Sequence, residues 1–188
     1  VLPNSNYFKL VAIITKLTKP FHFVLPANIK EMIKLMPKKF TKRTLAIKEI
    51  YPTTSGKKPV ARVALLTGCV QKAISPNINE ATIRLLNRHG IEVVIPKEVG
   101  CCGSLNHHLG KTELAIASFK KNISVWYDEY LKNGLDAIIS NTSGCGTTLK
   151  DYKFILRSDK NFKKKAKKIS ELTKDITEYL DENVKLNF

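Results

Sequence analysis

The hydrophobic rhythm of the chain changes partway along its length. In the first part, apolar residues recur in steps of three and four: Tyr7, Leu10, Val11, Ile14 and Leu17, then Ile29, Met32, Ile33 and Met36. That spacing puts each set on one face of a helix. It predicts a first helix ended by Pro20 and a shorter second one, both packing into a core. Residues 37–60, "PKKFTKRTLAIKEIYPTTSGKKPV", mix lysine, proline and glycine without sustained periodicity and read as a linker.

From Ala61 onward the pattern is strand and helix in alternation. "RVALLTG" (62–68), "IEVVIP" (91–96) and "DAIIS" (136–140) are short apolar, partly β-branched runs bounded by turn residues, the signature of buried strands. Pro76 and Asn77 open a helix that runs through Arg88, with Ile78, Ala81, Leu85 and Leu86 on one face and Gly90 as its stop. A long helix over 112–133 carries Ala115, Phe119, Ile123, Trp126 and Tyr130 and closes at Gly134. Two further helices fit 147–157 and 162–183, the second with a break near Thr173. Strands joined by helices of this length imply a parallel sheet with right-handed crossovers. The expected fold is α/β, a small Rossmann-like parallel sheet flanked by helices. Residues 1–60 form a helical segment and linker before it, and residues 61–188 form the domain.

Composition narrows the class. A hydrophobic fraction of 43% is that of a globular domain. No apolar run approaches the ~18–20 residues needed to span a bilayer. The first residues, "VLPNSNYFKL", show neither an initiator Met nor the basic-then-apolar build of a signal peptide, so the chain reads as the interior of a longer protein. Lys and Arg number 32 against 16 Asp and Glu, a net charge of +16. The densest run, "FKKKAKKIS" at 162–170, has few arginines beside it and no nucleic-acid module around it. It reads as a solvated helix face, and no nucleic-acid partner is expected.

The cysteines carry the chemistry. Cys69 follows the first expected strand, Cys101 and Cys102 the second, and Cys145 the third. In a parallel sheet these ends lie along one edge, where open α/β folds bind ligands. Five of the nine glycines flank the cysteines: Gly68, Gly100, Gly103, Gly144 and Gly146. Glycine there allows positive φ and brings backbone N–H groups close to sulfur. A disulfide between Cys101 and Cys102 would be strained, because adjacent Cα atoms lie ~3.8 Å apart, closer than the ~4.4–6.8 Å usual across the bond. Ligation of a metal or cluster explains the placement better than thiol–disulfide chemistry or inert structural thiols. Four thiols suit an iron–sulfur cluster and also a tetrahedral zinc ion. His107 and His108, in the same glycine-bounded loop, are candidates for a further ligand, a hydrogen-bond donor behind the ligands or a proton carrier.

The words "RVALLTGCVQ", "NEATIRLLNRHGIEVVIP", "GCCGSLNHHLG" and "NTSGCGTTLKDY" resemble the cysteine-rich CCG domain found in heterodisulfide reductases. More closely, they resemble the iron–sulfur subunits of glycolate oxidase (glycolate dehydrogenase). The resemblance implies an electron-transfer subunit that works beside flavin-containing subunits oxidising glycolate to glyoxylate. It also implies a membrane or quinone acceptor and a cytoplasmic place, peripheral on the inner face of the cell membrane. The cofactor it implies is an iron–sulfur cluster of [4Fe–4S] type on Cys69, Cys101, Cys102 and Cys145, with zinc as the alternative.

Whole subunits of that family also carry a ferredoxin-like part and a second CCG domain. No Cys-x-x-Cys-x-x-Cys run occurs here, so the chain reads as a central portion with the first CCG domain. By itself it is not expected to turn over substrate. Related alternatives are the iron–sulfur subunit of a lactate-utilisation or anaerobic glycerol-3-phosphate dehydrogenase complex, and a zinc-binding assembly module. One departure stands out: Thr142 occupies the place of a further cysteine in the broad pattern.

Overall fold

Strand β2 (Ala61–Leu66) is the axis of the sheet, because it pairs in parallel on both sides. On one side Val63 sits opposite Val93 of β3 (Ile91–Val94); on the other, Leu65 sits opposite Ile139 of β4 (Ala137–Ser140). Strand β1 (Ile50–Tyr51) adds to β3 in antiparallel register, and β5 (Thr173–Asp175) adds to β4 in parallel, giving the order β1-β3-β2-β4-β5. The computed structural model describes residues 5–18, 26, 30 and 41–184.

Helices cover both faces. These are α1 (Ser5–Thr18), α2 (Gln71–Ile74), α3 (Pro76–Arg88), α4 (Ser104–His108), α5 (Thr112–Asn133), α6 (Ser143–Ile155), α7 (Lys163–Leu172) and α8 (Ile176–Asn183). The period-two alternation of the strands divides the core in two. Ala64, Leu66 and Ile138 point into a cluster with Phe119, Ile123 and Trp126 of α5, Leu149 and Tyr152 of α6, and Ile169 of α7. Val63, Leu65, Ala137 and Ile139 point the other way, onto Ile83 and Leu86 of α3 and Tyr179 of α8. Both central strands are therefore apolar at nearly every position, as expected for a sheet buried on both faces.

The lysine run predicted as a solvated face is α7. It buries Ala166 and Ile169, while Lys165 lies over Tyr127 (5.4 Å to the ring centroid) and Lys168 over Tyr130 (4.6 Å). The ammonium groups themselves lie over the ring faces, a cation–π arrangement.

Several expectations need correction. Among the described side chains of α1 the buried ones are Phe8 and Ala12, whereas Leu10, Val11, Ile14 and Leu17 are exposed, Leu17 by 70%. The helix is apolar around most of its circumference, so periodicity could not choose the inward face. The side chain of Tyr7, Pro20 and the whole stripe Ile29, Met32, Ile33 and Met36 lie outside the described residues.

The buried face of α3 is also rotated from the expected one. Ile78 is 42% exposed, while Asn79, Glu80, Thr82, Ile83, Leu86 and Asn87 are buried. Polar side chains face inward there because each finds a partner; Asn87 Nδ2, for example, donates to the carbonyls of Tyr51 and Ile91. The break expected near Thr173 is present, and the helix ends at Leu172. Thr173–Asp175 becomes β5, and Asp175 starts α8 through a capping box with Glu178.

The segment expected as a linker is tied to α3 and to the sheet at several points. Thr44 N (2.8 Å) and Leu45 N (3.1 Å) donate to Glu80 Oε1, Thr44 Oγ1 donates to Glu80 Oε2 (2.5 Å), and Ile95 N donates to Glu49 O (2.7 Å). Burial pushes the Glu80 pKa up. The hydrogen bonds from Thr44 and Leu45, with Arg43 nearby, more than offset that and leave it below the usual value. A carboxylate with a depressed folded pKa contributes stability that is fully present above its unfolded pKa and fades as the pH falls through the folded value. Glu80→Gln is therefore expected to cost about 1–3 kcal/mol at neutral pH. In urea titrations the difference from the wild type should shrink below about pH 4.5. A gap that stays constant down to pH 3 would contradict this.

Candidate metal centre

Three loops leave the carboxyl ends of β2, β3 and β4. Because α3 carries the chain from β2 to β3 and α5 returns it to the other side of β2, the connections diverge at this edge. Such a switch point leaves a crevice beyond the strand ends. Cys69 lies between β2 and α2, Cys101 and Cys102 lie just before α4, and Cys145 sits in the first turn of α6.

The four thiols meet. Cys69 Sγ is 3.6 Å from Cys101 Sγ, and Cys102 Sγ is 3.1 Å from Cys145 Sγ. All four are free thiols; Cys102 is 3% exposed and the other three are half-buried. Among the described residues, no three Cys, His, Asp or Glu side chains surround a single point as a closed metal site. The thiols stand as two close pairs, and Cys102 also interacts with the neighbouring Cys101.

Backbone and buried side chains hold these loops. Asn122 of α5, fully buried, accepts from Gly100 N (2.9 Å) and donates to Cys101 O (2.9 Å). Tyr152 of α6 donates its hydroxyl to Cys102 O (2.7 Å). Gly103 N–H points at Cys101 Sγ (3.5 Å). Gly103 has φ +83° and Gly68 has φ +66°, the left-handed region expected beside the thiols. Gly100, Gly144 and Gly146 are not among the positive-φ glycines, and Gly144 and Gly146 lie within the first turn of α6.

Beyond the thiols, Gln71 Nε2 donates to Asn79 Oδ1 (2.8 Å) and Asn141 Oδ1 (2.7 Å), and Thr142 Oγ1 donates to Gln71 Oε1 (2.8 Å). Thr142 thus ties the Cys69 loop to the Cys145 loop by hydrogen bonding. It also accepts from Cys145 N (3.1 Å) at the start of α6.

Proximity sets the charge pattern. Hydrogen bonds from Cys102 and Cys69, opposed by burial and aided by Gly103 N–H, lower the Cys101 pKa to about 3. Cys145 is lowered by its hydrogen bond from Cys102. Cys102 is pushed up by its hydrogen bonds to Cys101 and Cys145 and then by burial, and Cys69 by its hydrogen bond to Cys101 and then by burial. In each pair these contacts favour the thiolate on one cysteine, Cys101 or Cys145, over its partner. Thiolate is the form that ligates metal.

The donor set fits a soft metal centre: four sulfurs, with backbone N–H groups of Val70, Gly103 and Ser104 directed at Cys69, Cys101 and Cys102. A zinc ion with ~2.3 Å bonds to four sulfurs would set them about 3.8 Å apart. The Cys69–Cys101 pair is near that spacing and the Cys102–Cys145 pair is closer.

His107 and His108 are brought near each other rather than into a cluster with the thiols. Both are exposed on α4; their ring centroids lie 5.5 Å apart, and that of His107 lies 5.9 Å from that of Phe119.

Asn122, Tyr152, Gln71 and Asn141 were not foreseen. The one sequence signal was Asn122, a polar residue beside the apolar stripe of Phe119, Ile123 and Trp126. Asn122→Ala would take away the partner of Gly100 N–H and of the half-buried Cys101 C=O, and would empty the space of a fully buried side chain. It is expected to cost about 2–4 kcal/mol by denaturant titration. A loss below about 0.5 kcal/mol would remove Asn122 from this role.

Residues 63–150 match the CCG family, described as a cysteine-rich domain. The chain is 41% identical over 121 residues to the glycolate oxidase iron–sulfur subunit of Escherichia coli (strain K12), covering 64% of this chain and 30% of that protein. It is 35% identical over 121 residues to the probable glycolate oxidase iron–sulfur subunit of Bacillus subtilis (strain 168), 64% of this chain and 26% of that one. It is 27% identical over 119 residues to lactate utilization protein A of the same organism, 63% of this chain and 48% of that one. The chain thus spans between about a quarter and a half of the length of these relatives. No solved structure matches it. With four thiols from three loops gathered at the carboxyl edge of its sheet, the segment 63–150 is a cysteine-rich domain of the CCG family.

Proposed function

We propose that the chain is an electron-transfer module of a flavin-linked 2-hydroxy-acid oxidoreductase, with glycolate as the substrate of the whole complex. The meeting of Cys69, Cys101, Cys102 and Cys145 at one sheet edge carries this reading. Similarity to iron–sulfur subunits named for glycolate oxidase supports the choice of substrate. The four thiolates would hold an iron–sulfur cluster of [4Fe–4S] type, which supplies a one-electron carrier when bound. The chain's own part is to fix the ligands. Asn122 and Tyr152 anchor the Cys101–Cys102 backbone, and the amides of Val70, Gly103 and Ser104 stabilise negative charge on sulfur.

Flavin-containing subunits and a second CCG domain would complete the assembly, which passes electrons to a membrane or quinone acceptor from the cytoplasmic side. No helix among the described residues is long and apolar enough to cross a membrane.

Anaerobic reconstitution with ferrous iron and sulfide tests the reading. Broad visible absorption with acid-labile sulfide is expected. A colourless protein that takes up one zinc ion per chain would favour the assembly module, for which the near-tetrahedral spacing of Cys69 and Cys101 is the supporting observation.

A further inference from the structure

Cys101 and Cys102 are neighbours in sequence and interact with one another, but across the loops each meets a different partner. Each close sulfur pair joins two loops: Cys69 with Cys101 at 3.6 Å, and Cys102 with Cys145 at 3.1 Å. We propose that the metal-free protein is a dithiol modification site that takes low-molecular-weight disulfides as its oxidant. It closes as two specific bridges, Cys69–Cys101 and Cys102–Cys145.

An S–S bond of ~2.05 Å requires each pair to approach by only about 1–1.5 Å, within reach of side-chain rotation. The competing bridge between Cys101 and Cys102 must instead strain the peptide that joins them. Access also differs within the second pair. Cys145 is half-buried and open to a small oxidant, whereas Cys102 is 3% exposed and is reached from Cys145.

Exchange balances as follows. The thiolate of the more accessible cysteine attacks one sulfur of the small disulfide, forms a mixed disulfide and releases one small thiolate. The partner cysteine, as its thiolate, then displaces the second small thiolate and forms the protein bridge. Two protein thiols are oxidised by two electrons, one small disulfide is reduced to two small thiols, and the two protein protons go to the released thiolates. Closing the whole site consumes two small disulfides.

For its consequence alone this rests on the proposed metal role: a bridged site has no thiolate left to ligate with, so loading requires prior reduction.

The test uses the full chain, stripped of metal under reducing conditions, freed of reductant and exposed to oxidised glutathione. Thiols are counted, then alkylated, and unreduced tryptic peptides are sequenced by mass spectrometry. Four titratable thiols should fall to none, with fragmentation between Cys101 and Cys102 placing Cys69 on the first and Cys145 on the second. In Cys145→Ser two thiols should be lost and the alkyl label should sit on Cys102; in Cys69→Ser the label should sit on Cys101. A Cys101–Cys102 bridge, exchanged partners, lasting glutathione adducts or four surviving thiols would overturn the proposal, and the wild-type map decides even if a variant fails to fold. Failure to bind metal leaves this bridge map untouched, and a wrong map leaves metal binding untouched, so the two ideas fail separately.

Discussion

Cys102→Ser is expected to lower metal affinity by more than about 100-fold while leaving the domain folded. Changes behind the ligands alone cost about 10–100-fold at metal sites, and this substitution removes a proposed ligand. Cys102 is 3% exposed, and its sulfur contacts Cys145 while its carbonyl receives the Tyr152 hydroxyl. Serine keeps the backbone contact and nearly the same volume, but its hard, protonated oxygen does not replace a soft thiolate. Metal and sulfide analysis after anaerobic reconstitution reads the first effect, and denaturant titration reads the second, expected within about 2 kcal/mol. Undiminished metal content in the variant would remove Cys102 from the ligand set.

Gly103→Ala should produce the largest loss of stability of any single methyl addition at the site. Its φ of +83° is unfavourable for alanine, and the added Cβ would lie 2.5 Å from Phe119 Cε1, 2.8 Å from Phe119 Cδ1 and 3.2 Å from the Ala115 carbonyl. Phe119 cannot yield easily, since it is fully buried with its ring 4.6 Å from that of Tyr152. Left-handed strain and overpacking each cost about 1–3 kcal/mol, so a total of about 3 kcal/mol or more is expected. For a chain of this size that lowers the melting temperature by roughly 6–12 °C. Gly144→Ala is the control: nothing lies within 4 Å of its added Cβ, and it sits inside α6. That change should be neutral or stabilising by up to about 1 kcal/mol. Equal effects at the two glycines would contradict the packing described for Gly103.

The central elements were legible because their burial follows from their own composition. Strands β2, β3 and β4 are apolar runs between turn residues, and α5 shows Ala115, Phe119, Ile123 and Trp126 at helical spacing and buries all four. The edge strands were not, because they exist through their partners. Ile50–Tyr51 is a strand by pairing with Val94 and Val93, and Thr173–Asp175 by pairing with Ile138–Ser140. The face of α3 was misjudged for a related reason. Asn79, Glu80 and Asn87 are buried since backbone from distant loops satisfies them, and hydrophobic periodicity carries no record of that.

At the site, the position of each cysteine just past a strand was enough to bring the thiols together. Their crossed pairing was not readable, because it depends on how Gly68 and Gly103 turn the loops. Nor was the support from Tyr152, which lies far along the chain from Cys102.

X-ray absorption at the iron edge of the anaerobically reconstituted chain tests most directly whether thiols from three loops grip a single centre. The account predicts a nearest shell made only of sulfur, iron neighbours beyond it, and loss of both signals in Cys102→Ser. A nearest shell of oxygen or nitrogen, or a spectrum unchanged by that substitution, would contradict it.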